Sequence, residues 1–116
     1  MMADLFEFNC VRPSTHDPRL TGAELGAYLA QVPQWKLIEE AGEQRIQRVF
    51  GFKNFSQALA FTNRVGAIAE QQDHHPAVLT EWGRVTVTWW THTIKGLHRN
   101  DFIMSAKTDR EFPLAL

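Results

Sequence analysis

His74 and His75 stand side by side between Asp73 and Pro76, and His92 follows at the end of an alternating segment. Histidine is the side chain best suited to carry protons near neutral pH. Three of the chain's five histidines within positions 74–92 therefore point to acid–base chemistry. Glu70 lies one helical turn before His74 and is placed to orient that ring. Asp101 stands near the start of the last expected helix. Taken singly, each histidine reads as a surface or capping residue; it is the cluster, fixed at one end by a proline, that shifts the reading. Three histidines and a carboxylate would also suit zinc. Adjacent histidines converge poorly on one ion, however, and the chain has no HExxH spacing and no cysteine pair, so no metal is expected. Trp90 shares the histidine side of its strand, where a flat heteroaromatic ligand would stack. Trp35, Trp82 and Trp89 read as core, and Arg45, Arg48, Arg84 and Arg99 as residues of solvated faces.

The elements that must position these residues follow from periodicity and punctuation. Residues 1–19 carry Pro13 and Pro18 without a period and read as an irregular arm; 20–116 read as a single domain. Thr21 and Glu24 form a capping-box pattern, Leu25, Leu29 and Val32 share one helical stripe, and Pro33 stops that helix. Trp35–Glu40 and Gln44–Phe52 read as strands joined by a turn at Ala41-Gly42. Asn54 caps the strongest helix, on which Phe55, Ala58, Leu59, Thr62, Val65 and Ala69 recur at helical spacing. Pro76 disfavours helical geometry at His75, so this helix ends near Gln72 or Asp73. Val78–Glu81 is a short strand and Trp82-Gly83 a turn. Arg84–His92 alternates, with Val85, Val87 and Trp89 on one face and Thr86, Thr88, Trp90 and His92 on the other. A final helix spans about His98–Asp109. Hairpins with segregated helices predict an α+β fold, a four-stranded antiparallel sheet with its helices on one face.

Composition narrows the setting. The chain has 116 residues, 44% of them hydrophobic, which suits one domain with its own core and gains from oligomerisation. A net charge of −1 and the lack of basic runs interleaved with aromatics argue against a nucleic-acid partner. No stretch approaches the length of a membrane span, and the first residues do not resemble a signal peptide. With Cys10 as the only cysteine, no internal disulfide forms, and a reduced cytoplasmic setting is expected.

Five pieces occur in order: Gly51-Phe52-Lys53-Asn54-Phe55, then Glu70-Gln71-Gln72-Asp73-His74-His75-Pro76, then Thr91-His92, Gly96-Leu97 and Asp101. Together they resemble the pterin-4a-carbinolamine dehydratase family, also called 4a-hydroxytetrahydrobiopterin dehydratase, from about Trp35 to Asp109. The resemblance implies the same four-stranded fold, with subunits pairing edge strands into homodimers that stack into homotetramers. It implies a lyase that converts a 4a-hydroxy-tetrahydropterin to quinonoid dihydropterin, recycling the pterin after aromatic amino-acid hydroxylation. No cofactor is implied, because the pterin is the substrate. The implied pocket comprises Asp73, His74, His75, Thr91, His92 and Thr93, with Trp90 beside it. His74 and His92 would form the acid–base pair, His75 would position the pterin or share its protons, and Glu70 and Asp101 would support the rings. Around this set, Val78 stands where a tryptophan is common, Trp90 where a small residue is usual, Thr93 where an acid is usual, and His98 where a capping hydroxyl is usual. That pattern points to a runner-up, the dehydratase-like proteins that assist Rubisco assembly in carboxysome-forming bacteria.

Overall fold

A computed structural model describes residues 4–112. Its elements run in the order α1 (Gly22–Gln31), β1 (Lys36–Glu40), β2 (Glu43–Gly51), α2 (Phe55–Gln72), β3 (Ala77–Glu81), β4 (Arg84–Trp89) and α3 (Arg99–Glu111), with single 3-10 turns at Leu5–Glu7 and His92–Ile94. The four strands form one antiparallel sheet in the order β1-β2-β4-β3. The expected α+β architecture is thus the observed one. Ala41 and Gly42 close the β1–β2 hairpin with positive φ at both positions (53° and 77°), the pairing that matches the twist of the flanking strands.

Register explains the layering. Ile46 opposes Trp89, and Phe50 opposes Val85, so their side chains share one sheet face. All four are at most 1% exposed and pack with Ala58, Phe61, Val65 and Ala69 of α2 and Phe102, Ile103 and Met104 of α3. The other sheet face carries Val49 and Leu79, both more than half exposed, and the Gln47–Thr88 side-chain hydrogen bond. Alternating strands with one buried face and helices on that face alone are the consequence of the period-two pattern.

Caps depart from the expectation in two places. Asn54 does accept a hydrogen bond from the Gln57 N–H and starts α2. Thr21 stands at the N-cap of α1 in extended geometry, but its hydroxyl makes no capping hydrogen bond. His98, in contrast, caps α3: its Nδ1 accepts from the Asn100 N–H, and Asp101 reaches back to the His98 N–H. The imidazole does the work of the missing hydroxyl.

Several side chains also sit elsewhere than their sequence context suggests. Trp82, expected in the core, is 70% exposed, because it occupies the β3–β4 turn. Arg48 is not solvated: it and the Trp35 indole N–H both donate to Asp109, tying α3 to the β1–β2 hairpin. Burial pushes the Asp109 carboxyl up from the usual range, opposed by those two donors.

Candidate active site

The end of α2 sets the first two histidines. Asp73 follows the helix in the left-handed conformation (φ 51°), which an aspartate tolerates better than most residues. Its N–H bonds to the Glu70 carbonyl and the His74 N–H to the Ala69 carbonyl, the paired pattern of a Schellman ending. The chain therefore turns back on itself at His74. That ring is buried, parallel to the Trp89 indole (5.9 Å between centroids, 6° between planes), with Nε2 2.7 Å from Asp101 Oδ1. His75 remains exposed, and its Nε2 meets the Glu70 carboxylate. Glu70 thus serves His75 and not His74, because the i,i+4 relation holds only within a continuous helix.

Asp101 is the buried hub. It is fully inaccessible, and its carboxylate accepts from His74 Nε2, from the Thr91 hydroxyl (2.8 Å) and from the His98 N–H (2.9 Å). An ionised carboxylate can only accept, so the His74 nitrogen that faces it, Nε2, is the donor of this pair.

His92 is not the end of a strand. β4 stops at Trp89, Thr91 bridges to Gly96, and His92 opens the 3-10 turn between them. The turn is held from outside by Arg19, whose Nε donates to the Ile94 carbonyl and whose aliphatic stem lies across Gly96. A Cβ at Gly96 would meet that stem at 2.7 Å, so a larger residue there would push the Arg19 side chain aside.

One cavity of about 390 Å³ gathers these groups: His74, His75, His92, Asp73, Thr91 and Thr93 all line it. Trp90 does not. It is 8% exposed, lies under the Arg45 guanidinium (3.8 Å) and against the His92 ring, and so leaves no open face for a ligand to stack on. Arg45 is correspondingly no solvated side chain, being only 13% exposed.

The rest of the wall comes from the N-terminal arm, which no local signal marked, and from Gln72 at the end of α2. Cys10, Val11, Arg12, Pro13 and Gln72 complete the cavity. The arm is pinned there by the Cys10 N–H to Gln72 Oε1 (2.7 Å) and by a two-way pairing of the Val11 backbone with the Asn100 side chain. Burial pushes the Cys10 thiol up to about 11, with Asp101 adding to the effect. Only about 10⁻³ of it is then ionised at pH 8. Iodoacetamide is accordingly expected to label Cys10 far more slowly at pH 8 than it labels a free thiol, with the rate climbing toward pH 11; mass spectrometry of timed samples reads this directly.

Among the described residues, no group of three or more His, Cys, Asp or Glu side chains converges to hold a metal ion, and no helix is long and apolar enough to cross a membrane.

The family model described as pterin 4 alpha carbinolamine dehydratase matches residues 18–111. A protein of Marinobacter nauticus named "Putative pterin-4-alpha-carbinolamine dehydratase" is 55% identical over 108 residues, covering 93% of this chain and 97% of its own. A protein of the same name from Nitrosococcus oceani is 55% identical over 109 residues, covering 94% and 96%. A crystal structure from Brucella melitensis, described as a transcriptional coactivator/pterin dehydratase, superposes with a TM-score of 0.73 at 34% identity, covering 82% of this chain and 99% of that one. A pterin dehydratase-like protein described as a RuBisCO assembly factor in the alpha-carboxysome shares the fold alone, at 19% identity and a TM-score of 0.56 over 66% of this chain and 87% of that one. With a family model spanning residues 18–111 and relatives 55% identical over more than nine-tenths of both chains, the chain belongs to the pterin 4 alpha carbinolamine dehydratase family.

Proposed function

We propose that the protein removes water from a 4a-hydroxy-tetrahydropterin, with its cavity histidines as proton carriers. The observation that carries this reading is that His74, His75 and His92 line one cavity, two of them backed by carboxylates. The reaction breaks the C4a–O and N5–H bonds and forms the C4a=N5 double bond of quinonoid dihydropterin. Hydroxide is a poor leaving group, so a proton must reach the oxygen while a base takes the one on N5. In this reading His92 donates to the departing hydroxyl. His74 accepts the N5 proton at Nδ1, and the Asp101 carboxylate stabilises the imidazolium that results. His75, anchored by Glu70, positions the pterin, and Asp73 and Thr93 offer polar groups to its ring edge. The Thr91 hydroxyl is committed to Asp101 and supports the dyad. Electrons balance without any carrier, so no resident cofactor is proposed. The setting proposed is pterin recycling in the cytoplasm, by a homodimer or homotetramer whose exposed Val49 and Leu79 offer apolar surface for assembly.

The assembly-factor reading draws on likeness of fold only, and the complete histidine set favours dehydration over it. Turnover decides. Synthetic 4a-hydroxy-tetrahydropterin, followed by absorbance without added metal, is expected to dehydrate faster with the protein than in buffer. No acceleration, combined with no binding of a dihydropterin product analogue, would sink the enzymatic reading. Recovery of RuBisCO large subunit in a pull-down would then raise the alternative.

A further inference from the structure

We propose that Trp90 is a positioning residue for His92, itself held in place by Arg45. The proposal rests on the dehydratase reading and adds to it two residues that lie outside the cavity. The three histidines are held in different ways. His74 and His75 each have a carboxylate behind the ring, whereas among the described residues no group hydrogen-bonds the His92 imidazole. An exposed side chain without such a partner samples several rotamers, and fixing it costs entropy. The contact that limits it is the Trp90 indole, with ring centroids 4.5 Å apart and planes tilted by 48°.

Trp90 is in turn buried and flanked. It is 8% exposed, and the Arg45 Cζ lies 3.8 Å from its ring centroid. Glu40 and Glu43 hold the guanidinium in that place at 2.9 and 3.6 Å. The Arg45 Nε is buried with no hydrogen-bond partner, a state that disfavours the arrangement unless something else offsets it. The cation over the indole face is the compensating contact. The stack Arg45–Trp90–His92 thus runs from the β1–β2 hairpin to the cavity wall, and the indole limits the orientations open to the imidazole there.

Two readouts test this. In proton NMR, the His92 ring signals, assigned by their loss in His92→Gln, are expected upfield of those of the exposed His16, through the indole ring current. Trp90→Leu should abolish that shift, Arg45→Met should reduce it, and Trp90→Phe should keep part of it. In turnover of the carbinolamine, Trp90→Leu should lower kcat about tenfold with KM little changed, as misplacement of a proton donor does, and Trp90→Phe should restore most of the rate. Arg45→Met covers the case in which Trp90→Leu folds poorly. His92 signals that coincide with those of His16 in the wild type would overturn the proposal. So would a Trp90→Leu variant that loses the shift yet keeps kcat within twofold. Absence of wild-type turnover with the ring-current shift present would instead sink the dehydratase reading.

Discussion

Replacing His74 or His92 by alanine is expected to lower kcat for carbinolamine dehydration by roughly 10²–10⁴-fold, the usual cost of losing a general acid or base. Both rings line the cavity, yet their surroundings differ. His74 is 7% exposed and backed by a buried carboxylate, whereas His92 is exposed and backed by an indole. A buried dyad suits the base, because the carboxylate stabilises the positive charge that builds on the ring. An exposed imidazole exchanges protons readily with solvent, which suits a donor that must be recharged at each turnover. His75→Ala should act chiefly on KM, since that ring lies at the exposed rim beside Glu70. Stopped-flow absorbance on the three variants and the wild type checks all of this. Full activity in His74→Ala would remove the base from the scheme.

How far these positions were legible in the sequence depended on which force set each one. α2 is readable because Ala58, Val65 and Ala69 of its expected stripe are buried, joined by Phe61, while Phe55 and Leu59 of that stripe face outward, and Asn54 and Pro76 mark its limits. The β4 alternation was readable through Val85, Val87 and Trp89 for the same reason. Beyond Trp89 the pattern continued into Thr91 and His92 while the strand did not. The Thr91–Gly96 bridge and the Arg19 contact that form the turn are non-local, and alternation carries no trace of them. Helical spacing directs Glu70 to His74, but the left-handed Asp73 ends the helix between them and brings His75 to Glu70 instead. Trp90 looked like a platform for a ligand because its faces are free in sequence; only the paired strand brings Arg45 over it. Residues 10–13 have no period, and their place in the cavity wall is decided by Gln72 and Asn100, more than sixty residues away.

Asp101 is where stability and chemistry meet, and Asp101→Ala is expected to weaken both. Its carboxylate is fully buried and takes hydrogen bonds from His74, Thr91 and the His98 N–H. Truncation leaves those donors facing an apolar void. Breaking a buried pair in this way costs about 3–5 kcal/mol, a large share of the roughly 5–15 kcal/mol that holds a domain together. Urea denaturation should show a lower midpoint with an unchanged slope. Asp101→Asn separates the two roles. Its oxygen can still accept from Thr91 and His98, so most of the stability should remain. Its NH₂ then points at His74 Nε2 and forces that nitrogen to accept, moving the ring proton to Nδ1. The base would present a proton where it needs a lone pair, and kcat should drop by about 10²–10⁴-fold although the fold is kept, as when a catalytic histidine is held in the wrong tautomer. A stable Asp101→Asn protein with wild-type rate would show that Asp101 only builds the helix cap, and that the proton at N5 leaves by another route.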